Sequence, residues 1–484
     1  MSQYTHSKTS TNQIKKLIDE QGYSVELLAQ KMGINIENIQ NLCDDEHLIP
    51  DSLTLETICK TCSVDLDRLI KYNPETESLN QLLPSLFSQN DRPLQITICG
   101  CGNLGHAFAG ILSVRKDLRV NVLVSQVEKA ENLKQKIAIN NGIVVKRNEG
   151  NIVGCPNLVT ANPAEAIPGS RLILLCLPSF VEPTVLSQII PFLEKNTFIG
   201  SIPATGGFDW TARHLLNQAE KQAIVFGAIA VPWICKIVKY GEEVQIIGTK
   251  TLNGQVTIPA RQASIVSDLM SNLLEMPVID AQSFLQITLN PGNQLLHPGI
   301  MYGMFSNWNG VPLPEAPLLY ESISEYTASI LQNMSDELMA LRFALEQRIP
   351  NLHLSAVLPL AISIQQGYGS AVLDKSTLRS TISSNLAYAG IRTPMNLVKE
   401  GYVPNYQSRF FLEDIPYGLV VLKGIAELAD VATPTIDRVL TWSQEKMKCQ
   451  YLVEGKLQGS DLAKSSAPQK FGLHSVEALA IGRN

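Results

Sequence analysis

Apolar residues along the chain recur in two different periods, and the change from one to the other divides it. Over residues 11–71 they fall at helical spacing: Ile14, Leu17 and Ile18, then Leu27, Leu28 and Met32, then Ile36, Ile39 and Leu42. Gly22 and Gly33 stand where such helices would stop, and Asp51 precedes a further amphipathic stretch through Leu55 and Ile58. The segment Lys71–Pro93 is polar and carries Pro74, Pro84 and Pro93, the composition of a linker with a short helical piece. From Leu94 the texture changes. Leu94–Cys99 is a short β-rich run, followed by a glycine-rich turn and a helical pattern from Leu104 to about Leu112. Val120–Val124, Leu172–Leu177, Phe198–Ile202 and Ala223–Ala230 predict further strands, the later ones apolar throughout. Apolar strands alternating with helices predict a parallel, doubly wound sheet with both faces covered. After about Pro277 the strand signals fade, and helical patterns dominate over Ser322–Leu345, Ser376–Ala387, Tyr417–Leu428 and Thr435–Lys446.

The turn after the first strand reads Gly100-Cys-Gly102-Asn-Leu-Gly105. A G-x-G-x-x-G string between a strand and a helix fits a dinucleotide-binding turn. Gly100 permits the tight turn, Gly102 lets a pyrophosphate approach the backbone, and Gly105 lets helix and strand pack closely. The free N–H groups and partial positive charge of the helix start then face the phosphates. An acid ending the second strand would bind the ribose 2′-hydroxyl and select NAD. Here that strand ends at Val124-Ser125-Gln126, with no acid before Glu128 and with Lys129 beside it. This leans towards NADPH over NADH. The residues read as cofactor contacts are Gly100, Gly102, Asn103, Leu104, Gly105, Ser125, Lys129 and Pro178.

Composition narrows the class. Hydrophobic residues make up 45% of the 484-residue chain and charged residues 17%, which is globular, and the length calls for two or three domains. The net charge of −6 sits entirely in residues 1–80, which hold 7 Lys/Arg against 13 Asp/Glu. The first 20 residues lack an apolar core of a signal peptide, and the longest apolar stretch, Ala223–Cys235, is too short to span a bilayer. Nine cysteines without framework spacing fit a reducing compartment. The chain therefore reads as a cytoplasmic protein with no membrane association.

Three segments together carry a resemblance to a known family. They are the Gly100–Gly105 loop running on as His106-Ala-Phe-Ala, the run Asn290-Pro-Gly-Asn293-Gln-Leu-Leu-His297-Pro298-Gly299, and Arg409-Phe-Phe-Leu-Glu-Asp414-Ile-Pro416-Tyr417-Gly418-Leu419. From about residue 94 to the 440s the chain resembles the octopine/nopaline (opine) dehydrogenases. The resemblance implies a Rossmann domain followed by a helical catalytic domain that closes over the substrate. It also implies an enzyme that joins an amine, typically of an amino acid, to a 2-oxo acid and reduces the resulting imine with NADPH or NADH. His297 would be the acid/base, the residue type that works near neutral pH. Asp414 would fix its tautomer. Arg409 would bind the carboxylate of the oxo acid, and Asn293, one helical turn before His297, would contact substrate. The expected domains are a helix-turn-helix-like domain over 1–75, a linker over 76–93, the Rossmann domain over 94–278 and the all-α catalytic domain over 279–484.

Each residue also has a plainer reading. His106, His214 and His353 compete for the acid/base role, Asp414 fits a helix cap before Pro416, and Arg409 fits an ordinary surface cation. Their joint occurrence with the nucleotide turn favours catalysis. Glycerol-3-phosphate and 6-phosphogluconate dehydrogenases, built similarly, use a Lys with nearby Asn. No such pair occurs around 270–310, where His297 falls. A small hydroxy-acid dehydrogenase is a further alternative.

The segment Gly22–Asn35 resembles the phage-repressor type of helix-turn-helix. Its next helix would offer Glu37, Asn38, Gln40 and Asn41 but no Lys or Arg, and Asp44, Asp45 and Glu46 follow. Phosphates would be repelled by that surface, so DNA is not the expected partner, and dimerisation or regulation is. A nucleotide-binding sensor acting through this domain is the competing reading, and a homodimer is compatible with either. Cys59-x-x-Cys62, near Cys43 and His47, invites zinc. Both cysteines replace core apolar residues and no second such pair follows, so no metal is expected.

Overall fold

The computed structural model describes residues 4–72 and 93–480; the linker read over 76–93 lies outside the described residues except for Pro93. The chain forms two compact units, one mainly from Met1–Ala204 with Thr211–Phe284, the other from Thr205–Trp210 with Leu285–Ile481.

The first unit begins with helices Ile14–Gln21, Val25–Met32, Ile36–Asp44, Ser52–Cys62 and Leu66–Leu69. Local chemistry sets their ends. Ser24, Asn35 and Asp51 accept backbone N–H groups of Leu27, Glu37 and Thr54 at helix starts, and Gly22 and Gly33 end helices at φ 65° and 66°. The apolar stripes meet in a core of Ile14, Leu17, Leu28, Ile39, Leu42, Leu55 and Ile58, with Cys62 buried in it and Cys59 packed against it. Short strands frame the helices: β1 (Tyr4–His6) pairs with β3 (Leu48–Pro50), and β2 (Ser10–Asn12) with β4 (Ile70–Tyr72). Three-residue strands leave too little alternation to read from sequence.

The main sheet is built from β5 (Leu94–Cys99), β6 (Leu118–Leu123), β9 (Leu158–Thr160), β10 (Leu172–Leu175), β11 (Phe198–Ser201), β12 (Ile224–Ala228), β15 (Asn253–Ile258) and β16 (Val278–Asp280). Their order is β16-β15-β12-β11-β10-β5-β6-β9, with only the β12–β15 pair antiparallel. The chain leaves β5 to one side through β6 and β9, then returns to the other through β10. That reversal makes the carboxyl end of β5 a topological switch point, where α/β sheets bind ligands.

A second sheet, absent from the sequence reading, has the order β13-β14-β7-β8, from β7 (Ile143–Lys146), β8 (Ile152–Gly154), β13 (Trp233–Lys239) and β14 (Glu243–Thr249). Its inner face packs on helix Asn103–Leu112, where Gly110 meets Val145 and Gly154 with no room for a Cβ. Its outer face leaves Ile234, Val238 and Ile247 exposed. Apolar residues on both faces blur the alternation that marks a half-buried strand.

The N-terminal helices belong to this unit rather than standing apart. Ile279 of β16 and Leu252, just before β15, join their core. Asp268, 2% exposed on helix Ala263–Leu274, accepts through Oδ1 from Ser7 Oγ (2.8 Å), Lys8 N (2.9 Å), Thr9 Oγ1 (3.0 Å) and Thr9 N (3.3 Å).

The second unit is largely helical, with helices Asn293–Phe305, Glu325–Arg348, Leu360–Tyr368, Val420–Leu428 and Pro434–Met447 around Leu338, Leu341, Ile425, Ile436 and Leu440. The pattern over Ser376–Ala387 yields a shorter helix, Leu378–Ser383, started by a capping box from Thr377 and Ser380 and followed by a 3-10 turn. Two small hairpins interrupt the helices, β17 (Met395–Val398) with β18 (Gly401–Pro404) and β19 (Leu452–Val453) with β20 (Lys456–Leu457). Among the described residues no helix is long and apolar enough to cross a membrane.

Candidate active site

In the helical unit, His297 lies in helix Asn293–Phe305, directly before Pro298. Proline lacks an N–H, so the turn beneath it loses one backbone hydrogen bond. Packing supplies the rigidity instead. A Cβ on Gly299 would lie 2.6 Å from Leu331 Cδ2, and one on Gly303 would lie 2.5 Å from Thr327 Oγ1, so both glycines allow the Glu325–Arg348 helix to approach closely.

Asp414 enters from the segment that follows the Arg409–Leu412 turn. It occupies the first position before a π-helical turn, Ile415–Leu419, and its side chain caps no backbone N–H there. A Cβ on Gly418 would meet Gln294 Cβ at 2.6 Å, which is why a glycine brings this turn against the helix carrying His297. The outcome is a hydrogen bond of 2.8 Å between His297 Nδ1 and Asp414 Oδ2, with side chains 10% and 12% exposed. Burial pushes the Asp414 carboxyl above the ordinary carboxylate range, opposed in part by the hydrogen bond from His297.

Two contacts on His297 escaped the sequence reading. The ring of Phe410 stacks on the imidazole at 3.6 Å and 11°, and the Tyr320 hydroxyl lies 3.1 Å from Nε2. Phe410 is adjacent to Arg409 in the motif and could have been suspected from that. Tyr320 stands in an irregular segment with no motif around it, and only the fold brings it in.

Arg409 does not stand free. Its Nε and Nη2 donate to Glu413 Oε2 at 2.9 and 2.5 Å, while its own side chain remains 68% exposed. Both nitrogens converge on one carboxylate oxygen, so a carboxylate already occupies donors that could serve a substrate. Asn293 is exposed at the first position of the helix, one turn before His297.

In the other unit, the Gly100–Gly105 turn leaves the carboxyl end of β5 at the switch point. Gly100 takes φ +116°, and a Cβ there would meet Cys176 O at 2.6 Å. A Cβ on Gly105 would collide with the carbonyl of Gly100. A Cβ on Gly102 would meet nothing within 4 Å, so its backbone borders open space. The helix begins at Asn103, and its first N–H groups have no partner inside the helix. This arrangement fits a dinucleotide pyrophosphate. Asn103 Oδ1 accepts from Ile237 N at 2.9 Å, tying the turn to β13, and Leu104 packs against the core. Ser125 follows β6 and Lys129 lies on helix Val127–Asn140, both exposed, and half-buried Pro178 follows β10.

Of the other histidines in contention, His106 is buried in the Asn103–Leu112 helix. Its Nε2 accepts from Gly241 N at 3.0 Å and its Nδ1 lies 3.1 Å from Gly102 O. Burial lowers its pKa, so the neutral ring acts as a brace between the turn and the β13–β14 hairpin. Among the described residues no cluster of His, Cys, Asp and Glu could hold a metal ion.

The comparisons with known proteins agree with one another. Residues 280–447 match the model of the NAD/NADP octopine/nopaline dehydrogenase alpha-helical domain. Tauropine dehydrogenase of Arabella iricolor is 30% identical over 396 residues, 79% of this chain and 99% of the relative. Octopine dehydrogenase of Mizuhopecten yessoensis is 30% identical over 399 residues, covering 81% and 99%. A solved octopine dehydrogenase, in complex with NADH and L-arginine, superposes with a TM-score of 0.73 at 28% identity, covering 81% of this chain and 98% of that one. With a catalytic-type His–Asp pair in a helical unit and a dinucleotide turn at the switch point of a parallel sheet, the chain belongs to the octopine/opine dehydrogenase family.

Proposed function

We propose that this protein is an NAD(P)H-dependent opine-type dehydrogenase in which His297, Asp414 and Arg409 carry the reaction. It condenses an amine, in the simplest case that of an amino acid, with a 2-oxo acid and reduces the resulting C=N bond. The observation that carries the residue assignment is the buried His297–Asp414 pair, joined at 2.8 Å.

Addition of the amine to the oxo acid gives a carbinolamine. Its hydroxyl must leave as water, and that needs a proton donor. His297, with Nδ1 held by Asp414, can give a proton from Nε2 and recover it in the reverse direction, while Asp414 stabilises the imidazolium. Loss of that water leaves a protonated C=N bond, and the nicotinamide, when bound, would supply the hydride that converts it to a secondary amine. Arg409 binds the oxo-acid carboxylate by exchanging Glu413 for it. Asn293 contributes a hydrogen bond from the same helix as His297.

Gly100, Gly102, Asn103, Leu104 and Gly105 would hold the pyrophosphate, with Pro178 bordering the cofactor. Ser125 and Lys129 would accept a 2′-phosphate, and the absence of an acid at the end of β6 supports NADPH over NADH. For the N-terminal helices, the exposed side chains Glu37, Gln40, Asn41 and Asp44 support a helix-turn-helix-like module that does not serve as a DNA reader.

The test is cofactor oxidation with NADPH and NADH in parallel, against amino acids crossed with pyruvate, glyoxylate and 2-oxoglutarate. Turnover that needs both an amine and an oxo acid, and that is abolished in His297→Ala, is the expected result. Oxidation with an oxo acid alone would instead identify a hydroxy-acid dehydrogenase.

A further inference from the structure

We propose that Tyr320 is a positioning residue of this reaction, its hydroxyl capping Nε2 of His297 and holding the resting imidazole neutral with its proton on Nδ1. The inference rests on the assignment of His297 as the acid/base, and it adds a residue that no motif of the sequence marks.

Both nitrogens of the imidazole are occupied. Nδ1 lies 2.8 Å from Asp414 Oδ2, and a carboxylate can only accept, so Nδ1 carries a hydrogen. Nε2 lies 3.1 Å from Tyr320 Oη. In the neutral ring Nε2 is a bare acceptor, and the hydroxyl donates to it. The Tyr320 hydroxyl can only be a donor there if it keeps its proton, and burial pushes it above the ordinary phenol range. The side chain is 5% exposed, and its ring stacks on Tyr388 at 4.1 Å and 20°, with Tyr368 edge-on to Tyr388 at 5.0 Å. That packing, in a cluster with Leu296, Ile300 and Ile323, holds the hydroxyl at the ring nitrogen.

Protonating Nε2 reverses the hydrogen bond. The new N–H must donate to Oη, and the phenolic proton must turn away. Among the described residues the hydroxyl makes no second hydrogen bond, so its displaced proton loses its partner. The other groups around the ring act in different senses. Asp414 on Nδ1 favours the cation, Phe410 stacks on the ring face, and Glu413 and Arg409 bear on Asp414 in opposite directions. Tyr320 is therefore the group at Nε2 that opposes the imidazolium.

Tyr320→Phe keeps the ring stack and removes the hydroxyl. Reduction needs the protonated imidazole, so its activity falls on an alkaline limb; oxidation of the product needs the neutral ring and falls on an acid limb. Both limbs should move to higher pH by about one unit, the size of one net hydrogen bond. The KM for cofactor should stay unchanged. A residue that only packs would alter thermal stability or KM and leave both limbs in place, and that result would overturn the proposal. If the variant does not fold, the wild type decides by the ring-nitrogen resonances of His297. The neutral form with hydrogen on Nδ1 is expected at the alkaline end, and hydrogen on Nε2 of the neutral ring would refute it. His297→Ala separates the two readings. Full activity in that variant removes the acid/base assignment itself, whereas a dead His297→Ala beside unmoved limbs in Tyr320→Phe removes only the role of Tyr320.

Discussion

At the scale of single residues, Asp414 shows how a site can be functional and a burden to the fold together. Its carboxylate sits at a helix start where it caps nothing, and burial raises its pKa despite the bond from His297. A carboxyl whose folded pKa lies above its unfolded value costs stability as pH rises from the ordinary range, about 4, through the folded value. The full cost is present above that value. Asp414→Asn keeps an acceptor for Nδ1–H and removes the charge, so its Tm at pH 7 should equal or exceed that of the wild type. The gap should narrow as pH falls towards about 4, as the wild-type carboxyl takes up its proton and comes to match the neutral amide. Activity should fall roughly a thousandfold, because an amide stabilises the imidazolium poorly and permits the wrong tautomer. Paired thermal melts and rate measurements at the two pH values check this, and a lower Tm at pH 7 would contradict it.

At the scale of elements, glycines decide which segments can meet, and they do so for different reasons. Gly105 has the carbonyl of Gly100 where its Cβ would be, so the helix and its own turn need the missing side chain. Gly102 has open space there. Gly105→Ala should therefore lower the Tm and weaken cofactor binding together. Gly102→Ala should leave the Tm within a degree or so of wild type and still weaken cofactor binding at least tenfold, about 1.4 kcal/mol, by filling the space a pyrophosphate needs. Fluorescence titration with NADH and NADPH beside calorimetry separates the two. Equal loss of Tm in both variants would mean that Gly102 is structural. His106 and Asn103 brace the same turn from β13 and the hairpin after it, which gives the second sheet a reason to exist in this unit.

At the scale of the whole molecule, a buried carboxylate ties the arm before the N-terminal helices into the first unit, alongside the apolar contacts of Ile279 and Leu252. Four donors from Ser7, Lys8 and Thr9 converge on Asp268 Oδ1. Hydrogen bonds to a charged group contribute about 1.5–3 kcal/mol each in favourable cases, and a buried donor left without a partner costs a further share. Asp268→Ala should free this arm, seen as faster amide exchange at Lys8 and Thr9 and as a lower Tm, with the 280–447 region unaffected. Unchanged exchange at those two amides would show that the arm is held by apolar contacts with Ile279 and Leu252 instead.

The sequence by itself determined the parts that depend on local rules. The helices from Ile14 to Cys62 were legible from apolar spacing and caps, β5, β6, β10, β11 and β12 from apolar runs though not the short β9 and β16, and the dinucleotide turn from glycines placed between a strand and a helix. His297, Asp414 and Arg409 were legible only as motif residues, since nothing local says that positions 117 apart come within 2.8 Å. Tertiary structure decided the rest. It gave Nε2 of His297 to Tyr320 and Arg409 to Glu413, placed Asp414 on the imidazole rather than on a helix cap as the plainer reading had it, and assembled the four-stranded sheet from strands with apolar residues on both faces. It also merged the N-terminal helices with the sheet. The physical reason is the same in each case: a hydrogen-bond partner or a buried face is chosen by proximity in space, and periodicity along the chain carries information about neighbours a few residues away but none about side chains a hundred residues apart.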